Sequence, residues 1–346
     1  MVMVEETEKE SGDRLGIDTV PLVAIIGPTA VGKTEFSFRL AEDLGAEILS
    51  VDSRQVYRYM DVGTDKASPE MRRRIVHHVL DVADPDEPYS AAEFAAAAGA
   101  AITRLRARGR VPLLVGGTPF YYRALLDGIL TEDLPRSWEV RRRLEDEAAR
   151  VGREALHRRL AELDPPSAAR IHPRDLRRVV RALELFELTG RPATETYREG
   201  ALPVAPYAVL YIGLLRPREE LYRRINERVR RQFASGFPEE VAWLLEHGFD
   251  ESMPALQGFG YRELVAYHRG ECTFEEAMNG DAAATRAFSR RQMTWFRKFS
   301  PVLWYDASHV LEESSYATIL ESCGRHLAGH FVKNAGGDPG TVREDA

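Results

Sequence analysis

Eight consecutive residues, Gly27-Pro28-Thr29-Ala30-Val31-Gly32-Lys33-Thr34, fit the pattern GxxxxGK(S/T). In such a loop the glycines let successive backbone N–H groups turn inward around an anion at a helix N-terminus, where the helix dipole adds partial positive charge. Lys33 is then placed to neutralise a terminal phosphate, and the Thr34 hydroxyl to ligate Mg2+. The loop does not decide the fate of the phosphate, because kinases, nucleotide hydrolases and enzymes that expel diphosphate can all use it. A hydrolase usually adds an acid at the end of a later buried strand to manage Mg2+ and water. Here the run Val111 to Val115 ends instead in Gly116-Gly117-Thr118. The acid at a strand end is Asp52, in Ser50-Val51-Asp52-Ser53, at the carboxyl edge where open α/β sheets bind ligands. General base is the favoured role for Asp52, with an outer Mg2+ ligand and a helix N-cap as alternatives. The Thr118 hydroxyl is suited to a phosphate or a reacting amine, or to capping a helix from Pro119 to Leu126.

These residues need a scaffold, and the chain supplies alternating strands and helices. Leu22 to Ile26 reads as a buried strand, Lys33 to Leu44 as a helix stopped by Gly45, and Ala46 to Val51 as a second strand. Ser90 and Glu93 form a capping box that opens an Ala-rich helix to about Arg108, closed by Gly109 before the strand Val111 to Val115. Continuous apolar strands predict a parallel sheet covered on both faces. From Ser137 to Thr189 the pattern is helical and charged, broken at Gly152, Asp164-Pro165-Pro166 and His172-Pro173. Strand character returns at Tyr207 to Leu214. Pro217 opens a helix to about Ala234, and a second capping box, Thr273 with Glu276, precedes a long helix ending near Phe299. The expected fold is α/β, a P-loop NTPase-like parallel sheet flanked by helices, with an inserted all-helical domain. The core is expected over residues 20–130 and 200–330 and the insertion over 131–199, with disordered tails at 1–19 and 331–346.

At 346 residues, 44% apolar and 29% charged, the composition is that of an ordinary globular protein. No apolar run approaches the ~18 residues that span a bilayer. Residues 1–20 hold six acids against Lys9 and Arg14, which excludes a secretory signal or an Arg-rich transit peptide there. Cys272 and Cys323, without a CxxC partner, argue against a disulfide framework and a zinc site; a reducing cytoplasm fits. The net charge of -7 hides an uneven distribution. Residues 285–298 carry Arg286, Arg290, Arg291, Arg297 and Lys298 with no acid, and residues 136–198 hold fifteen Arg against eleven acids. Such runs make either a basic RNA-facing surface or solvated helix faces.

Taken together, the loop Gly27 to Thr34, Ser50 to Tyr57, Met60-Asp61-Val62-Gly63-Thr64 and Gly116-Gly117-Thr118 resemble the tRNA dimethylallyltransferases. The likeness continues through His77-His78, Arg177 to Glu184, Gln257 to Glu263 and Arg290 to Arg297, and covers roughly residues 20 to 305. Ser137-Trp138 departs from the more polar or Pro-containing approach to the insertion that the family leads one to expect. With no C-terminal zinc finger, the resemblance is to the bacterial form. It implies transfer of a dimethylallyl group from dimethylallyl diphosphate to N6 of the adenosine at tRNA position 37. Mg2+ would be the cofactor, bound by Thr34, with Arg224 joining Gly27 to Thr34 on the diphosphate. The anticodon stem-loop would be the partner of a cytoplasmic monomer.

RNA contacts are implied for Asp52, Ser53, Arg54, Gln55 and Thr118, for Arg141, and for Arg177, Arg178, Val179, Val180 and Arg181. They are implied also for Gln257, Gly258, Phe259, Gly260, Tyr261 and Arg262, and for Arg290, Arg291, Gln292, Met293, Thr294, Trp295, Phe296 and Arg297. The chemistry agrees with the resemblance. The exocyclic amine of adenine is a weak nucleophile that needs a base, and Asp52 is the base expected, with Thr118 assisting. The target nucleotide must be flipped out, which a single-stranded loop permits at low cost. The competing readings are a small-molecule kinase, an isopentenyltransferase acting on free adenylate, and an RNA-binding P-loop protein without transferase chemistry.

Overall fold

The computed structural model describes residues 19–128, 134–199 and 207–334. The expected tail before residue 19 and the segment 335–346 lie outside the described residues. In its first part the chain forms β1 (Val20–Ile26), α1 (Lys33–Leu44), β2 (Ala46–Val51), α2 (Pro69–Arg74), β3 (His77–His78), α3 (Ala91–Ala107), β4 (Val111–Gly116) and α4 (Pro119–Asp127). Five helices follow: α5 (Trp138–Val151), α6 (Arg153–Leu163), α7 (Pro165–Arg170), α8 (Leu176–Thr189) and α9 (Ala193–Glu199). The chain ends with β5 (Tyr207–Leu215), α10 (Arg218–Ala234), α11 (Phe237–Glu246), α12 (Tyr261–His268), α13 (Phe274–Phe296), β6 (Val302–Asp306) and α14 (Glu313–Asn334). The helix α14 thus continues to residue 334, past the point where a tail was expected to begin.

All strand pairs are parallel, in the order β3-β2-β4-β1-β5-β6. Side chains alternate across each strand. Leu22, Ala24 and Ile26 of β1 enter a core with Phe94, Tyr122 and Phe296, while Val23 and Ile25 enter another with Phe36, Leu40 and Tyr316. Both sheet faces are therefore covered, which explains the unbroken apolar runs. Because β1 pairs with both β4 and β5, the chain leaves the sheet after β4, passes through α4, builds the helices α5 to α9 and returns beside β1. Those helices close their own core around Leu144, Leu156, Leu160, Val179 and Leu183. Buried Asp164 caps α7 and ties it to α9 by accepting from Ser167 N (3.1 Å), Thr194 N (2.9 Å) and Thr194 Oγ1 (2.7 Å). Burial acts to raise its pKa, but these bonds outweigh it and hold the carboxyl below its ordinary value.

Register sets the site. Ile26 of β1 and Val51 of β2 both pair with Gly116 of β4, so the ends of three strands lie level at the carboxyl edge. The phosphate loop, Asp52 and Gly117-Thr118 leave the sheet side by side. A Cβ on Gly116 would sit 2.0 Å from the Val51 carbonyl oxygen, so that closeness requires glycine. No helix among the described residues is long and apolar enough to cross a membrane.

Candidate active site

The phosphate loop turns from β1 into α1 through Gly27 at φ 151° and Gly32 at φ 115°. A Cβ on Gly27 would meet the Leu214 carbonyl oxygen at 2.8 Å. Gly32 is the N-cap of α1 and provides no side-chain cap, so the first N–H groups of the helix remain available to an anion. Lys33 folds back over the loop, its Nζ donating to Gly27 O (2.9 Å) and Pro28 O (2.8 Å). Burial lowers its pKa to about 8, with the nearby Asp52 charge working in the opposite direction. Thr34 is exposed at the first turn of α1.

Asp52 lines a cavity of about 60 Å3 together with Thr29, Lys33, Gly117 and Arg228. Its Oδ1 accepts from Arg54 N at 2.9 Å, and the residues after it form turns, so the helix-cap role does not apply. Thr118 precedes α4 without capping it through its side chain. Its Oγ1 instead accepts from Ser53 N at 3.0 Å, and its N–H donates to Val51 O at 3.2 Å. The hydroxyl therefore ties the ends of β2 and β4 together.

Two residues, one expected elsewhere and one not singled out in the sequence, hold the site from α13 and α10. Gln292 was expected on the RNA surface, yet only 2% of it is exposed. Its Oε1 accepts from Thr29 N (2.9 Å) and its Nε2 donates to Gly117 O (2.6 Å), so one amide bridges the phosphate loop and the Gly117-Thr118 turn. A Cβ on Gly117 would lie 2.4 Å from that Nε2. Arg224, expected at the diphosphate, does not line the cavity; its Nε donates to the loop carbonyl Ala30 O (2.9 Å). Arg228, one turn further along the same helix face, lines the cavity. Its Nη1 donates to Thr29 Oγ1 (2.7 Å), while its buried Nε has no hydrogen-bond partner. An arginine four residues after Arg224 was the signal available in the sequence.

The cavity wall opposite the loop is also braced. Glu240 of α11 accepts from Asp61 N (2.7 Å), Val62 N (2.7 Å) and Gly63 N (3.1 Å), and the Tyr261 hydroxyl donates to it at 2.7 Å. Gln232 Nε2 donates to Val62 O at 2.7 Å. The Met60 to Thr64 segment is thus fixed from behind, with Gly63 and Thr64 on the cavity. The Arg54 guanidinium donates to Ala255 O (2.6 Å) and fills the place a Cβ on Gly258 would need, 1.6 Å from its Nη2. Gln55 accepts from the Ser50 hydroxyl (2.8 Å) and supports the strand end.

The residues expected to touch RNA do not form one surface. Val179 and Val180 are buried in the insertion core, and Tyr261 and Phe296 are buried in the main core, so their side chains do not face solvent. Arg141 Nε and Arg181 Nη1 donate to buried Glu184 at 2.8 and 2.7 Å. Burial acts to raise the Glu184 pKa, but these bonds and one from Ser137 N hold it below its ordinary value. Arg177, Arg178, Gln257, Arg262, Arg290, Arg291 and Arg297 are exposed, and Gly258 and Phe259 are half-buried. Arg290 donates to the Tyr222 hydroxyl (2.8 Å). Of the others, Gly260 is buried, Met293 and Trp295 are half-buried, and Thr294 is exposed with its hydroxyl on Arg290 O (3.0 Å). A wider cleft of about 1750 Å3 runs between α5 and the main domain and shares Arg54 with the small cavity.

Comparison with known proteins gives a consistent answer. A family model described as IPP transferase matches residues 55–299, and one described as isopentenyl transferase matches residues 20–78. The tRNA dimethylallyltransferase of Thermomicrobium roseum is 48% identical over 307 residues, covering 89% of this chain and 92% of the relative. That of Geobacter sulfurreducens is 45% identical, covering 85% of this chain and 94% of its own. Among solved structures, the full-length tRNA isopentenylpyrophosphate transferase of Bacillus halodurans matches at TM-score 0.67 and 38% identity, over 91% of this chain and 99% of that one. A eukaryotic dimethylallyltransferase acting on tRNA matches at TM-score 0.73 and 26% identity, over 91% of this chain and 80% of that one.

Proposed function

Because the chain belongs to the IPP transferase family, we propose that it transfers a dimethylallyl group from dimethylallyl diphosphate to N6 of the adenosine at tRNA position 37, releasing diphosphate. The observation that carries this reading is the level meeting of the phosphate loop with Asp52, where a nucleotide hydrolase would usually place an acid at the end of β4. In the reaction the allylic C1–O bond breaks, the N6–C1 bond forms, and a proton leaves N6. Electrons of the broken bond go to the diphosphate, whose developing charge is met by the loop N–H groups, Lys33 and Arg228. The buried, unpartnered Nε of Arg228 leaves that guanidinium with a donor to spare. Asp52 orients the amine and takes its proton. Thr118 acts by holding Ser53 and the end of β2 beside the loop.

Mg2+ belongs to this reading as a partner of the diphosphate. No group of three or more His, Cys, Asp or Glu among the described residues could hold a metal alone. That suits an ion that keeps waters and phosphate oxygens and takes few protein ligands. Thr34 would hold it from the start of α1. When bound, it would add charge neutralisation at the leaving group.

In the same reading the insertion and α13 grip the anticodon stem-loop through the exposed Arg177, Arg178, Arg290, Arg291 and Arg297. Contacts to phosphate position the RNA, and base contacts near Gln257 and Phe259 select it. Incubation with dimethylallyl diphosphate and unmodified tRNA, followed by nucleoside analysis for N6-dimethylallyladenosine, tests the assignment. ATP-dependent phosphorylation of an acceptor without prenyl transfer would overturn it.

A further inference from the structure

Trp138, the first residue of α5, is 65% exposed, the most exposed large apolar side chain among the described residues. A single apolar residue at a protein surface needs no explanation by itself. Trp138, however, lines the 1750 Å3 cleft opposite Ser53, Tyr57, Gln257 and Gly258, and Arg54 connects that cleft to the cavity containing Asp52. Its setting is also rigid. Glu184, fully buried, accepts from Ser137 N (2.8 Å) immediately before it and from Arg141 Nε (2.8 Å) one turn after it. The Arg141 guanidinium carbon lies 5.2 Å from the indole centroid. One carboxylate thus fixes both the start of the helix and a cation on one face of the ring.

The charges around the indole limit what it can receive. Arg141 and Arg143 are paired with Glu184 and Glu187, and the cleft carries both signs, with Glu139, Glu145 and Asp146 beside Arg142, Arg150 and Arg177. The arginines can take phosphates, whereas the neutral, pre-ordered aromatic face among them suits the π-face of a base. We infer that Trp138 is a stacking platform for an unpaired nucleobase of the RNA loop that delivers the target adenosine. The inference rests on the proposed function and adds a recognition site on the insertion.

Binding of an unmodified anticodon stem-loop, measured by fluorescence anisotropy across a salt series, tests it. Trp138→Ala should raise Kd by roughly 5- to 150-fold, the factor equivalent to ~1–3 kcal/mol for one base stacked on an aromatic ring. The slope of log Kd against log salt should not change, and Trp138→Phe should recover most of the affinity. Abasic substitution at each unpaired loop position in turn should reveal one that weakens the wild type and leaves Trp138→Ala unaffected. Unchanged Kd in Trp138→Ala would overturn the inference, as would a loss of slope by about one phosphate contact, ~0.7–0.9. Wild-type protein that binds no stem-loop would overturn the proposed function itself, a result distinct from either of these.

Discussion

Replacing Gln292 by Leu removes one acceptor and one donor at a buried point and leaves Thr29 N–H and Gly117 C=O without their partner. An unsatisfied buried polar group costs ~1–3 kcal/mol, so two set a range of about 2–6 kcal/mol. Some relaxation or water entry at the adjoining cavity places the expected loss of stability near 2–3 kcal/mol, toward the low end of that range. Catalysis should suffer beyond stability, because the amide joins the loop that receives the diphosphate to the turn beside Asp52. A displacement near 1 Å between positioned groups costs on the order of 10²-fold in rate. The assay is single-turnover transfer with saturating RNA and dimethylallyl diphosphate, alongside urea unfolding and stem-loop Kd. The expected result is a rate about 10²-fold lower, destabilisation and a Kd within about twofold of wild type. A large rise in Kd with the single-turnover rate intact would show that Gln292 contacts RNA directly, and the bridging argument would be refuted.

Further perturbations separate the remaining roles. Lys33 has a pKa lowered by burial to about 8, so between about pH 8 and its ordinary value of 10.5 the folded chain loses the proton before the unfolded chain does. The free protein should gain stability from this group across that window, while its affinity for inorganic diphosphate falls by up to tenfold per pH unit. Lys33→Met should abolish both trends in unfolding and calorimetric titrations, and identical profiles for the two proteins would contradict the assignment. Arg228→Ala should lower kcat/KM by about 10²–10³-fold, as loss of a donor to developing negative charge does, and Arg224→Ala by less; steady-state kinetics showing the reverse order would restore Arg224 to the diphosphate. Removing Arg178, Arg291 and Arg297 together should flatten the salt dependence of stem-loop binding by ~0.7–0.9 per lost contact. Arg181→Ala should lower stability by roughly 1–3 kcal/mol in urea unfolding through its bond to Glu184 and leave that slope alone.

What could be read from the chain was what is contiguous in it. The phosphate loop, α1 with its closing Gly45, both capping boxes and the central strands depend on neighbours a few residues away. The observed α1 and β2 have the expected bounds. The short edge strands β3 and β6 carry too little periodic pattern to announce themselves. The supports of the site were hidden for another reason: Gln292 lies 263 residues from Thr29, and Glu240 lies 179 from Asp61, so only the fold reveals those pairings. Helical geometry also breaks up the expected RNA-contact stretch on α8. Arg177 and Arg178 face solvent, while Val179 and Val180, next along α8, face the insertion core.

The most direct measurement of the central claim is single-turnover dimethylallyl transfer by Asp52→Asn with unmodified anticodon stem-loop. The amide keeps the shape of the side chain and can no longer take the N6 proton. The rate should fall by about 10²–10⁴-fold, the usual contribution of a positioned base, with unchanged affinities for stem-loop and inorganic diphosphate. A wild-type transfer rate in this variant would contradict that claim.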